Sequence, residues 1–218
     1  PTDLSKYQTA NKGKKVEKEI TIQEAYKKQI PVNKFSDKVY KRNLTRNNIK
    51  KMNPLDALVV TMWGEANALG DKGMEGVAHT VVNRTNYKEK KGGIGINNLY
   101  GTLSARTGKE KRFEYNALEP DVFEKSLKHL VNNKKDYDKV MDIALEVVQG
   151  TKPDFTEGAL FFWNPFTSTS DWYKNQVHSG RFKSTGFTKS PNNKKLVHQY
   201  HTLRESYIHP SELLKRLN

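Results

Sequence analysis

"NPLDALVVTMWGEANALGDKGMEGVAHTVVNRT", Asn53 to Thr85, holds two helical patterns in succession, joined through glycines. In the first, Leu55, Leu58, Val59, Met62 and Ala66 recur at the i, i+3, i+4, i+7 spacing of an amphipathic helix. Asn53 is placed to cap it, and Pro54 suits a first turn, where its missing N–H costs nothing. Gly70 and Gly73 loosen the join. The second helix is expected from about Lys72, with Met74, Val77, Ala78, Val81 and Val82 turned inward, closing near Asn83-Arg84-Thr85. Within this pattern Glu65 is the anomaly. It lies seven residues after Leu58 and three after Met62, on the same face as the apolar residues.

A carboxyl held on the inner face of a helix is costly to ionise, so it keeps its proton toward neutrality, the state a general acid needs. Plainer readings stay open at this point: pairing with a buried Arg or Lys, or escape of the side chain to solvent at the helix end. Cleavage of a glycosidic bond needs one such acid, and hydrolases usually add a second carboxylate at a fixed separation. Asp71, Glu75, Glu114 and Asp171 are available, but each sits in a polar segment and none is singled out by spacing. The pattern therefore leans toward a mechanism that needs one carboxylate.

Further along, Lys88 to Arg112 reads as Gly- and Lys-rich loops around a short element at Leu99 to Leu103; "GGIG" there is a flexible loop rather than a phosphate cradle. Asp136 to Gly150 is a helix with Val140, Ile143, Ala144, Val147 and Val148 inward and Gly150 as its stop. "GALFFWNPF", Gly158 to Phe166, is a short aromatic strand ended by Asn-Pro. "STSDWYKNQVHSGRFKSTGFTKSPNNKK" then reads as polar loop, "KLVHQYHTL" as a last strand, and a helix is expected from Pro210. The aromatic set Phe161, Phe162, Trp163, Phe166, Trp172 and Tyr173 has enough members to fill a core and still line a cleft, where ring faces stack on sugars. Asn164, Thr167, Ser168 and Asp171 lie beside it. His198 and His201 are not spaced as in H-E-x-x-H, so no metal is expected, and no cofactor.

The chain has 218 residues, no cysteine and a formal net charge of +14. Disulfides, thiolate metal sites and cysteine nucleophiles are excluded. Residues 1–53 hold 14 Lys or Arg against 5 Asp or Glu, so +9 of the +14 sits in this quarter of the chain. We expect a basic N-terminal arm at 1–53, extended or partly helical, followed by one domain at 54–218. The fold class expected is mainly α with a small β element, α+β. The arm's charge suits an anionic partner, and its spaced apolar residues suit docking on other proteins or self-association into a homo-oligomer. Nucleic acid is the weaker partner, since no recognised DNA- or RNA-binding motif accompanies the charge. No apolar run is long enough to span a membrane, and no secretory signal is expected at "PTDLSKYQTANKGKKVEKEI".

Taken in order, "WGEANALGDKGMEGVAHTVVNRT", "TEGALFFWNPFTSTSDW" and "KKLVHQYHTL" resemble the motifs of the SleB-like cell-wall hydrolases, also called spore cortex-lytic enzymes, over about Leu55 to Thr202. The resemblance implies a lysozyme-like, mostly α domain that cleaves the MurNAc–GlcNAc backbone of peptidoglycan as a lytic transglycosylase. It carries the catalytic acid onto Glu65 and places Glu75, Asn83, Phe162, Asn164, Trp172, His198 and Tyr200 around the cleft or its supports. Where relatives have a Phe followed by a small hydroxyl residue, this chain reads Phe113-Glu114-Tyr115, which makes Glu114 an added carboxylate in the cleft and keeps a muramidase-type hydrolase open. The stretch Asn175 to Lys195 looks like a loop insertion, and the arm has no counterpart in the motif. With these features a bacteriophage origin is expected: a virion-associated lysin acting in the host periplasm or cell wall, or a free endolysin. An inactive structural virion protein is the alternative of another class.

Overall fold

The computed structural model describes residues 52, 54–88, 99–107, 112–168 and 170–203. The arm apart from Met52, the Asn53 cap, the "GGIG" loop and the helix expected from Pro210 lie outside the described residues. Helix α1, Pro54–Ala66, passes through a turn of 3-10 helix at Asn67–Leu69 into α2, Gly70–Asn86. Then come α3, Leu99–Leu103, and the short antiparallel pair β1, Arg106–Thr107, and β2, Arg112–Phe113. A second 3-10 turn at Asn116–Leu118 leads into α4, Pro120–Asn132, and α5, Lys134–Val148. The chain ends its described course with β3, Phe161–Trp163; α6, Asp171–His178; β4, Phe182–Lys189; and β5, Val197–Leu203. The fold is mainly helical with a small antiparallel sheet, an α+β architecture.

Helix α1 is not two-faced. Every residue from Leu55 to Met62 is buried, because α2, α4 and α5 pack around it. A helix enclosed on all sides needs apolar residues all round, and "PLDALVVTM" supplies them except at Asp56 and Thr61. Both are satisfied: Asp56 accepts a 2.5 Å hydrogen bond from the Tyr137 hydroxyl, and Thr61 donates to the Ala57 carbonyl at 2.8 Å. Burial raises the Asp56 pKa to about 6 against the pull of Tyr137. Met52 is also in this core, and its carbonyl accepts from the Tyr100 hydroxyl. After Pro54, α1 becomes partly exposed again in its last turn, at Trp63, Gly64 and Glu65. Glu65 thus lies where the central helix reaches the surface.

The five apolar residues expected inward on α5 are all buried, and Gly150, at φ +70, ends the helix in the left-handed region that glycine adopts freely. Helix α4 has no counterpart in the sequence reading; Pro120 opens it, and Phe123, Leu127 and Leu130 face the core. The segment read as polar loop after Thr167 is corrected. It forms α6, whose N-terminus is capped by Ser170, and β4, which pairs antiparallel with β5 from Phe182↔Leu203 to Lys189↔Val197. Asn175 to Lys195 is therefore not one long loop but the end of α6, the edge strand β4 and the turn that follows it. In the sheet order β3-β5-β4, the last described strand lies in the middle.

Candidate active site

Gly64 brings the site together. A Cβ at this position would stand 2.6 Å from the Ala117 Cβ, so only glycine lets the 3-10 turn Asn116–Leu118 close onto the end of α1. That approach carries the Ala117 N–H to Glu65, where it donates to Oε1 at 2.7 Å. Burial pushes the Glu65 pKa up to about 7, outweighing the Ala117 and Asn116 amides, which favour the carboxylate. The result is a partly exposed carboxyl of fixed orientation that holds its proton close to neutral pH.

The buried cation of α2 is Arg84. Val77, Val81 and Arg84 share one face of α2, and the guanidinium follows the two valines inward to 5 % exposure. It ion-pairs with the Glu114 carboxylate and lies 5.5 Å from the ring centres of both Tyr115 and Phe161. Burial raises the Tyr115 pKa, with Arg84 opposing and Glu65 reinforcing. Tyr173 on α6 is likewise raised by burial and feels Arg84, Tyr115 and Glu65. Glu65, Arg84, Glu114, Tyr115 and Tyr173 therefore form one electrostatic neighbourhood drawn from α1, α2, α6 and the 112–118 run.

Aromatic rings extend outward from Tyr173. Trp163 stacks on it at 5.5 Å and 12°, and its indole N–H donates to Gln199 at 3.2 Å. Trp172 stands edge-on to Tyr173 and is 48 % exposed, so a ring face is open to a ligand. Phe113, Tyr115 and Tyr200 are buried packing residues; Phe113 lies under Arg106. Asn164 spends its side chain on the turn, donating to the Lys195 carbonyl and accepting from the Phe166 and Thr167 amides.

Glu75, Asn83 and Tyr200 belong to the seam that fastens α2 to the sheet. Gly76 makes it possible, since a Cβ there would stand 2.0 Å from the Tyr200 hydroxyl, which also hydrogen-bonds Thr188 at 2.9 Å. Asn83 donates to Asp154 at 2.8 Å and to the Ala159 carbonyl at 3.2 Å. Buried His79 lies between Glu75, at 3.8 Å, and Asp154, at 3.6 Å. Burial lowers the His79 pKa even though both carboxylates pull it up. Burial alone raises Asp154, but hydrogen bonds from Thr156, Asn83 and the Gly158 amide outweigh it and leave this carboxyl below its ordinary range.

His198 packs on Phe162 at 4.6 Å, and His201 stacks on Phe182 at 5.7 Å; burial lowers each pKa to about 4, so both are neutral rings of the sheet. Among the described residues no group of three His, Cys, Asp or Glu side chains is placed to hold a metal ion. A shallow cavity of about 660 Å³ opens between α2 and α5, walled by ion pairs such as Lys139–Asp71 and Lys152–Glu146. It contains Glu75 but none of the groups around Glu65. Most of the charged side chains in its walls are ion-paired, Lys72–Glu75 and Lys134–Asp138 among them.

Of the residues named from sequence, the structure groups Glu65, Glu114 and Tyr115, continues them through the rings of Phe162 and Trp172, and sets Glu75, Asn83 and Tyr200 in the supporting seam. Sequence reasoning missed Arg84 and the Asp154–His79 link. The first had a signal: a charged residue in phase with Val77 and Val81 belongs to a buried face. The second had none, since Asp154 meets His79 only through the fold.

Searches among curated proteins and among solved structures give no match to the chain. The sequence model described as Cell Wall Hydrolase matches residues 69–188, from the turn after α1 through α2, the aromatic segment and nearly all of β4. That span is more than half of the 218 residues, and the chain belongs to the cell wall hydrolase family, enzymes that degrade peptidoglycan.

Proposed function

We propose that the protein cleaves the glycan backbone between MurNAc and GlcNAc by lytic transglycosylation, with Glu65 as acid and then base. The observation that carries this reading is the Glu65 carboxyl, anchored by the Ala117 amide and protonated up to about pH 7. The Glu65 O–H gives its proton to the glycosidic oxygen as the bond from the MurNAc C1 breaks, releasing GlcNAc with a free 4-hydroxyl. The Glu65 carboxylate then takes the proton of the MurNAc 6-hydroxyl while that oxygen bonds to C1. The product is a 1,6-anhydro sugar, formed without water, and Glu65 ends protonated as it began. A hydrolase needs a second carboxylate for water, whereas Glu114, the added carboxylate in the run, is taken up by Arg84. The exposed face of Trp172 supplies a stacking surface for sugar rings.

Mass spectrometry of digested, purified peptidoglycan tests the reading. Anhydro-MurNAc ends are expected with the wild-type protein and none with Glu65→Gln. Reducing ends instead turn the assignment to hydrolysis, with Glu114 or Asp71 as the second carboxylate. Undiminished digestion by Glu65→Gln removes Glu65 from the mechanism.

On the same reading the basic residues 1–53 dock the enzyme on other proteins of a phage virion, from which it acts on the host cell wall. The concentration of charge there supports this. Deleting residues 1–51, which keeps the core residue Met52, should then spare digestion of purified peptidoglycan and abolish incorporation into particles.

A further inference from the structure

We propose that the sheet face beside α6 holds a glycan strand outside the site at Glu65: Trp163 and Phe187 each stack on a GlcNAc residue, and Gln199 hydrogen-bonds the MurNAc between them. The strand register builds this row. Gln199 of β5 is paired with Trp163 of β3 on one side and with Phe187 of β4 on the other, so the three side chains leave one face of the sheet in a line across the strands. Neighbouring strands lie about 5 Å apart, which sets the two aromatic positions roughly 10 Å from each other. Helix α6 covers the adjoining part of this face, where Tyr173 packs on Phe161 and Phe182. Phe187 is left 62 % exposed, and Trp163 and Gln199 are partly exposed.

A lone exposed Phe needs no ligand to explain it. This one is matched by an aromatic ring two strands away and by an amide held between the two. The Gln199 Oε1 accepts from the Trp163 indole N–H at 3.2 Å, and its Nε2 donates to the Ser184 hydroxyl at 3.2 Å. These bonds fix the amide and leave it one N–H and one lone pair for a ligand. Tyr173 braces the Trp163 ring from behind, stacked at 5.5 Å and 12°. Two ring faces with a positioned amide between them suit pyranoses, whose C–H faces are apolar and whose edges are polar. Each residue of an extended β-1,4-linked glycan advances by close to one strand spacing, so the two rings meet alternate sugars. In peptidoglycan alternate sugars are of one kind, and GlcNAc, which bears no peptide, is the one a ring can cover. The carboxylates of the MurNAc stem peptide then have Lys189 beside them, exposed and with its ammonium 5.8 Å from the Phe187 ring centre. Strand β3 also borders the acid: Phe162 contacts Tyr115 at 6.3 Å, and the next two residues turn their amides to Glu65.

The inference rests on the glycan backbone being the substrate, but binding is measurable without cleavage. The full chain carrying Glu65→Gln is labelled with ¹⁵N and titrated with chitotetraose and chitobiose, the β-1,4-linked GlcNAc tetramer and dimer. The Trp163 indole signal is assigned by its loss in Trp163→Phe, and the Gln199 side-chain amide by its loss in Gln199→Met. The tetramer should shift both signals together and bind more tightly than the dimer. Phe187→Ala should weaken tetramer binding read at Trp163 by roughly 2- to 10-fold, the size of one ring contact, and remove most of the tetramer's advantage. Phe187→Trp keeps a ring face and should restore it. Val122→Ala removes another exposed apolar side chain, on α4, and should change nothing. Lys189→Gln should weaken co-sedimentation with purified peptidoglycan while sparing chitotetraose, which has no peptide.

Unmoved Trp163 and Gln199 signals, or a folded Phe187→Ala that binds the tetramer as its parent does, overturn the proposal. A parent that is dimeric in sedimentation and monomeric with Phe187→Ala, its tetramer binding unchanged, assigns the face to a second copy of this chain and overturns it as well. If Glu65→Gln is inactive and the row binds no glycan, the catalytic reading stands and the row falls. If the row binds as expected while Glu65→Gln still digests peptidoglycan, the row stands and the catalytic reading falls.

Discussion

Replacing Glu65 by Gln should stabilise the protein, and more so as pH rises. Gln keeps an oxygen in place for the Ala117 amide but removes a carboxyl whose pKa burial raises from 4.5 to about 7. The sign follows from proton binding. Between those two values the unfolded chain has lost this proton and the folded chain has kept it, so wild-type stability falls as pH rises. Above about 7 the full cost is present, and below 4.5 it vanishes. At 1.36 kcal/mol per pKa unit the gain from Gln is about 3 kcal/mol at pH 8 and about 1 kcal/mol at pH 5, the water at the exposed side of the carboxyl trimming both. For a domain of this size each kcal/mol moves Tm by about 2–4 °C. Thermal melts of the two proteins at pH 5 and pH 8 measure the effect. A variant no more stable than wild type at pH 8, or a gain equal at both pH values, refutes the account of Glu65 as a carboxyl held against its own ionisation.

Gly64→Ala sets a methyl group 2.6 Å from the Ala117 Cβ, so the 3-10 turn must retreat from Glu65. A loss of about 1–3 kcal/mol in urea unfolding is expected, and digestion should slow by roughly 10- to 100-fold as the acid loses its anchor. His198 and His201, each lowered by burial from 6.5 to about 4, stay neutral in the fold while the unfolded chain takes up protons. Their contribution is present above pH 6.5 and lost as pH falls toward 4. Each therefore accounts for about 3 kcal/mol of acid destabilisation, and His201→Leu should remove its share, read as a flatter Tm against pH below 6. Trp172→Ala should leave Tm within about 2 °C, because the ring is 48 % exposed. It should also weaken co-sedimentation with insoluble peptidoglycan; unchanged binding removes Trp172 from the sugar-binding surface.

The elements legible in the sequence are those whose neighbours demand a strict pattern. Helices α1, α2 and α5 each bury valines, leucines or alanines at helical spacing, and β3 and β5 carry aromatics into the sheet. Helix phase did point to Glu65, though for an incomplete reason: α1 is enclosed on every side, and Glu65 is half-covered because it stands at the helix end. What stayed illegible was structure held by few buried contacts. No residue of α6 is fully buried, and β4 buries only Phe182 and Thr188, so neither writes its period into the sequence. Helix α4 was readable from Pro120, Phe123, Leu127 and Leu130. The Arg84–Glu114 pair was only half readable, since its partners are 30 residues apart and meet through packing.

The sheet order has a consequence for how the molecule comes into being. Because β5 lies between β3 and β4, neither of the earlier strands has its partner until Val197–Leu203 has emerged from the ribosome. Until then, both strands present bare edges open to association with other chains. Tyr200, which fills the notch at Gly76, arrives with the same strand. The helical half, with its acid already in place, is thus synthesised well before the seam that braces it. A chain stopped before Val197 is expected to expose both strand edges and to aggregate, which sedimentation of the truncated protein would read.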